Sequence, residues 1–125
     1  MRIFIIDDSE FARAGLKVLL AGRSDCEICG EASDGRQAVM RVIDLNPDLI
    51  ILDYSMPGMD GLQVAQEIFK ALPAALILIC TLFPSRELER DALKYGVRRV
   101  ISKTEMSKEL VAVIEEIHHD SKTVS

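Results

Sequence analysis

Leu49-Ile50-Ile51-Leu52 is an apolar run with no polar interruption, and it leads straight into Asp53. Pro47 stands before the run, and Pro57, Gly58 and Gly61 follow it. A half-exposed strand would alternate polar and apolar residues. A short unbroken run bounded by turn residues therefore predicts a strand buried on both faces. The carboxylate at its end is a second constraint. Left dry and unpaired, Asp53 would cost several kcal/mol, so water, a metal or a charged side chain must meet it.

The pattern recurs along the chain. Ile3-Phe4-Ile5-Ile6 ends in Asp7-Asp8, and Leu76-Ile77-Leu78-Ile79 ends in Cys80-Thr81. Two more strands carry charges: Cys26 to Ala32, with Glu27 and Glu31, and Val97 to Ile101, which leads to Ser102 and Lys103. Helical patterns fill the intervals. Ser9 reads as the N-cap of a helix with Phe11, Ala14, Val18 and Leu19 on its inner face, stopping near Gly22. Asp34-Gly35 opens a helix with Ala38, Val39, Val42 and Ile43 inward. Asp60 and Gln63 have capping-box spacing for a helix with Leu62, Ala65, Phe69 and Leu72 inward, ended by Pro73. A charge-rich helix spans Arg86 to Tyr95 over Leu88, Ala92 and Leu93, with Gly96 as its stop. Ser107 reads as the cap of the last helix, striped by Leu110, Val113, Ile114 and Ile117. Strand and helix thus alternate five times, which is an α/β pattern. The apolar strands belong in the centre and the charged ones at the edges. That predicts a five-stranded parallel sheet in the order 2-1-3-4-5, doubly wound and flavodoxin-like.

At 125 residues, 49% of them apolar, the chain is sized for one domain, taken as residues 1–119, with 120–125 as a polar tail or the start of a linker. A net charge of −5 with the signs interspersed offers no basic footprint for nucleic acid or an anionic membrane. No apolar run reaches membrane-spanning length and no cationic leader opens the chain, so the expected location is the cytoplasm. Cys26 and Cys29 are three apart in a strand, on opposite faces and roughly 10 Å apart, which predicts free thiols and not a disulfide.

In doubly wound sheets ligands bind at the carboxyl ends of the strands, beside the switch point. Asp7, Asp8, Asp53, Thr81, Ser102 and Lys103 all fall at that end. Three neighbouring carboxylates repel, so a proton or a cation must relieve them, and oxygen-only donors favour a hard ion such as Mg²⁺. Lys103 and Thr81 are superfluous for a metal but suit an anion beside it. A carboxylate nucleophile, a metal, a lysine and a hydroxyl together describe phosphoryl transfer onto an aspartate.

Over essentially its whole length the sequence resembles the receiver domains of two-component response regulators. The acidic pair Asp7-Asp8, Asp53 with Met56-Pro57-Gly58-Met59-Asp60-Gly61, Thr81 and Lys103 fill every place of that pattern. The resemblance implies a CheY-like fold and a phosphoacceptor switch, not a turnover enzyme. It implies that Asp53 takes phosphate from a sensor histidine kinase or phosphotransfer protein, and that Thr81 and Lys103 hold the phosphoryl oxygens. It implies Mg²⁺ on Asp8, Asp53 and the backbone carbonyl of Ser55, with Asp7 acting through water.

Three positions depart from the family pattern. Val100 stands where a Tyr or Phe is usual three residues before the lysine, with Phe83 as a substitute ring nearby. Leu82 follows Thr81 where a small residue is usual, which narrows access to the acceptor. Thr104 follows Lys103 where many receivers have Pro, and in this the chain is similar to regulators of the NarL/FixJ (LuxR) type, whose outputs bind DNA. Val100 and Leu82 support an alternative, a pseudo-receiver that acts by binding or dimerisation with little phosphorylation. Arg86, Arg90, Lys94, Arg98 and Arg99 mark the fourth helix and fifth strand, and the family uses that face, with the fifth helix, for partners or a homodimer. A haloacid-dehalogenase-like phosphatase would need a first-strand Asp-x-Asp that Asp7-Asp8-Ser9 does not supply. A flavodoxin-like cofactor carrier would need a first loop that is not anionic.

Overall fold

The computed structural model describes the backbone of residues 1–124 and the side chains of residues 1–120. Five strands pair in parallel in the order β2-β1-β3-β4-β5. They are β1 (Arg2–Ile6), β2 (Glu27–Ala32), β3 (Leu49–Asp53), β4 (Leu76–Thr81) and β5 (Val97–Ser102). The crossovers are α1 (Glu10–Ala21), α2 (Gly35–Leu45), α3 (Gly61–Ala71) and α4 (Arg86–Lys94), and a short 3₁₀ turn at Lys103–Glu105 leads into α5 (Met106–Val124). The class, the order and the central position of the uncharged strands match the sequence expectation.

The unbroken apolar runs divide between two cores because strand side chains alternate. Phe4, Ile6, Ile50, Leu52, Ile77 and Ile79 pack under α2, α3 and α4. Ile3, Ile5, Leu49, Ile51, Leu78 and Ile101 pack under α1 and α5. Register is fixed by this division, since a one-residue slip would exchange the two sets. Cys26 packs toward the second core and Cys29 toward the first, and all three cysteines are free, as their spacing predicts.

The inner faces of four helices differ from expectation. On α1 the core takes Leu16 and Leu20, while Phe11 is 90% and Val18 77% exposed. The sequence carries two apolar stripes there, on opposite sides of the helix. The longer leucines seat on the sheet, and Phe11, Ala14 and Val18 face outward. On α2, Ala38 and Val42 are buried and Val39 is half-buried, but Ile43 is exposed. On α3 the buried residues are Val64, Ala65 and Ile68, and Phe69 lies at the rim against Gly96, whose φ of +76° lets the chain turn out of α4. Leu88 and Ala92 cover the sheet from α4, while Leu93 points outward. The α5 stripe of Leu110, Val113, Ile114 and Ile117 is buried as read.

Ser107 is not a cap. The helix begins one residue earlier, and Ser102 instead closes the 3₁₀ turn by accepting from the Thr104 N–H. No glycine or proline follows His119, and α5 runs on through Val124, so most of the predicted tail is helical backbone. Its last residue, Ser125, lies outside the described residues. Among the described residues no helix is long and apolar enough to cross a membrane.

Candidate functional site

Asp7 follows β1, Asp53 ends β3, Thr81 ends β4 and Lys103 follows β5, so four strand ends deliver them to one edge of the sheet. Asp7, Asp53 and Thr81 are the buried polar residues of the described chain. One carboxylate oxygen each from Asp7, Asp8 and Asp53 lies within 4.8 Å of the others. The Lys103 ammonium stands 3.0 Å from Asp53 Oδ1 and 3.5 Å from Asp7 Oδ2. Asp7, Asp8, Asp53 and Lys103 therefore converge, with Thr81 at the end of the neighbouring strand.

Local hydrogen bonds hold the acidic edge in place. The Asp7 N–H donates to the Ala32 carbonyl (3.1 Å), extending the β1–β2 ladder by one residue. Asp7 Oδ1 accepts from the Ser9 N–H at 2.9 Å, and Asp53 Oδ1 from the Ser55 N–H at 3.3 Å. Behind Asp53, Gly61 approaches so closely that a Cβ would lie 2.7 Å from Tyr54 Cα, and the Gly61 N–H donates to the Tyr54 carbonyl at 2.8 Å. This contact and the Asp60–Gln63 capping box fold the Met56–Gly61 loop back beneath the site.

The electrostatics follow from burial. Desolvation raises the Asp53 pKa above the ordinary aspartate value, and Asp7 adds to the rise while Lys103 and the Ser55 N–H oppose it. Burial works against the Lys103 charge, but the hydrogen bond to Asp53 and the charges of Asp7 and Asp53 outweigh it and leave the lysine above its usual value. Three carboxylates against one ammonium leave the edge anionic. Such a set of hard oxygen donors, with an excess of negative charge, fits a divalent cation that keeps several waters, and Mg²⁺ is the ion of that type.

Beside the acids a cavity of about 390 Å³ opens between α1 and α5, floored by Leu16, Ile51 and Cys80 and bordered by Asp53 and Lys103. Burial pushes the Cys80 thiol up to about 12, which makes it an inert lining group. On the other side Thr81 Oγ1 accepts from the Phe83 N–H at 3.2 Å. Phe83 itself is exposed and Leu82 is 57% exposed beside it, while Val100 is buried in the core under α4.

One participant went unread in the sequence. Arg13, on the second turn of α1, donates to the Asp7 carbonyl at 2.7 Å and to Glu31 Oε1 at 2.8 Å. The available signal was a charged residue on a helix otherwise read as apolar inward, opposite an acid in the edge strand. Arg98 and Arg99 of the basic group pair with Glu116, and Arg98 also with Asp120, so part of that cluster is internally neutralised.

A receiver-domain family model, described as the response regulator receiver domain, matches residues 3–115. The transcriptional regulatory protein LiaR of Bacillus subtilis is 33% identical over 114 residues, covering 91% of this chain and 54% of that protein. A protein-glutamate methylesterase/protein-glutamine glutaminase of Methanosarcina acetivorans is 36% identical over 126 residues, covering 94% of this chain and 36% of that enzyme. The signal receiver domain of the response regulator NarL from Mycobacterium tuberculosis superposes with a TM-score of 0.83 at 30% identity, covering 93% of this chain and 94% of that one. The chain thus spans about half or less of these curated relatives' length, and what the relatives have in common with it is the receiver and not the output. It belongs to the receiver-domain family of two-component response regulators.

Proposed function

We propose that Asp53 is the phosphoacceptor of a Mg²⁺-dependent switch, charged by a phosphohistidine on a sensor kinase or phosphotransfer protein. The observation that carries this is the convergence of Asp7, Asp8, Asp53 and Lys103 at the sheet's carboxyl edge. An Asp53 carboxylate oxygen attacks phosphorus as the P–N bond to the donor imidazole breaks, and the departing nitrogen recovers its neutrality by taking up a proton. Lys103, already 3.0 Å from Asp53, and the Thr81 hydroxyl would donate to the phosphoryl oxygens. Asp8, Asp53 and the Ser55 carbonyl would hold Mg²⁺, with Asp7 acting through water. The ion's chemistry is to neutralise carboxylate and phosphoryl charge together. The domain itself is a switch and not a turnover enzyme, and its place is the cytoplasm.

The Thr81–Phe83 hydrogen bond gives the switch a route outward. When the Thr81 hydroxyl turns toward a phosphoryl oxygen, the loop bearing exposed Leu82 and Phe83 is the segment coupled to it, since Val100 provides no ring to move. The output is transcriptional regulation, supported by similarity to LiaR. A homodimer through α4, β5 and α5 would use the exposed Arg86, Arg90 and Leu93.

Intact mass after incubation with acetyl phosphate tests the proposal. The native chain should gain one phosphoryl group only when Mg²⁺ is present, and Asp53→Asn should gain none. No gain across donors and times would favour the pseudo-receiver, with Leu82 as the residue to replace first.

A further inference from the structure

We infer that Arg13 is a positioning residue for the acidic pair, fixing the Asp7–Asp8 peptide plane and with it the direction in which Asp8 presents its carboxylate to a divalent cation. The inference rests on the phosphoacceptor reading and deepens it. Asp8 is exposed, and among the described residues no hydrogen bond or ion pair restrains its carboxylate. What orients it is its backbone, which sets the direction of the Cα–Cβ bond from which the carboxylate reaches. The restraints on that backbone lie on its neighbours: the Asp7 N–H on Ala32 O, the Ser9 N–H on Asp7 Oδ1, and the Asp7 carbonyl on Arg13 Nη1 at 2.7 Å. A planar peptide cannot turn at Asp8 N without turning at Asp7 O, so the Arg13 bond is the one that locks the unit between the two acids.

Arg13 is itself held. Its side chain is 14% exposed, its Nε donates to Glu31 Oε1 at 2.8 Å, and Lys17 engages the other Glu31 oxygen. Hydrogen bonds from Lys17 and Arg13 keep the Glu31 carboxylate below its usual pKa, so the support stays charged at neutral pH. Glu31 pairs with Ile5 and Ala32 with Ile6, which ties the support to the strand that carries the acids. A guanidinium suits this post because one fork can serve a carboxylate and a carbonyl at once.

Positioning and plain electrostatics predict opposite signs. Deleting a cation beside an anionic site, with nothing else changed, tightens the binding of another cation. Deleting a support that aims a ligand loosens it, typically by tenfold or more. Calorimetric titration of the full chain with Mg²⁺ should give a dissociation constant about tenfold weaker for Arg13→Met than for the native chain, with part of the loss restored in Arg13→Lys. An unchanged or tighter constant in a folded Arg13→Met overturns the inference, and so does a lowered melting temperature with no change in binding. Should Arg13→Met not fold, Glu31→Gln takes its place: weakened Mg²⁺ binding supports the positioning role, and native-like binding overturns it. A native chain that does not bind Mg²⁺ would instead remove the phosphoacceptor reading itself, and the inference with it.

Discussion

Two charged clusters sit at opposite ends of the sheet and are built on opposite principles. At the amino end of the strands, Arg23 binds Asp25 and Glu115, His118 Nε2 lies 2.9 Å from Asp25 Oδ2, and the Met1 ammonium donates to the Asp25 carbonyl oxygen. Arg23 there meets two carboxylates, and its guanidinium holds the Asp25 carboxyl down to about 2. At the carboxyl end three carboxylates face one ammonium, which pairs with Asp53 and Asp7, and desolvation pushes Asp53 up. A cluster that fastens α5 to the α1–β2 loop satisfies its charges, whereas the site leaves a deficit that a cation and a phosphoryl group can fill. Strain of this kind marks function because it is not repaid within the chain.

Charge removal at the two ends should expose this difference. The largest effect is expected at Lys103→Met, which strips the acidic edge of its ammonium. Phosphoryl incorporation measured by mass should fall about a hundredfold or more, and stability without Mg²⁺ should drop by roughly 2 kcal/mol, less than for a fully buried pair because the lysine is 28% exposed. Next, Mg²⁺ at about a hundred times its dissociation constant should raise native stability by about 2.7 kcal/mol and do much less for Asp53→Asn, read by urea melts. Ligand removal with EDTA should reverse the gain.

A smaller effect with a diagnostic sign comes from the acids themselves. Because the folded pKa of Asp53 is raised, its contribution to stability is full below the ordinary aspartate value and is lost as pH rises through the raised value. Asp53→Asn should therefore be more stable than the native chain at neutral pH without Mg²⁺, by about 1 kcal/mol, and the gain should vanish in acid. Asp25 behaves in the opposite sense. Its stabilisation is present above the ordinary value of 3.8 and lost as pH falls through about 2, so Asp25→Asn should melt slightly lower at neutral pH and be indistinguishable at the acid limit. Melting curves of the two variants across pH that moved in the same direction would contradict the contrast. Smallest of all, Leu82→Ala should quicken labelling by acetyl phosphate severalfold, without change in melting.

The site was legible in the sequence because three features coincide in it: a strand buried on both faces, a polar residue at its end, and a topology that gathers those ends. Asp7, Asp53, Thr81 and Lys103 needed no tertiary detail beyond the sheet order. The helices were read less well. Periodicity shows that α1 has an apolar stripe but not which of two stripes the sheet takes, and Phe11 and Val18 were assigned to the core that Leu16 and Leu20 occupy. Ser107 was misread as a cap because Ser102, five residues earlier, had already closed the turn. Arg13 escaped notice because its acceptor is a backbone carbonyl, which no side-chain pattern reveals.

The most direct test of the central claim is to find the residue that carries the phosphoryl group. Borohydride reduces an acyl phosphate to the alcohol, and peptide mass mapping of the labelled, reduced chain then reports its position. Reduction confined to Asp53, and dependent on Mg²⁺ during labelling, is the predicted result. Label on Asp7, Asp8 or any other carboxylate, with Asp53 unmodified, would contradict it.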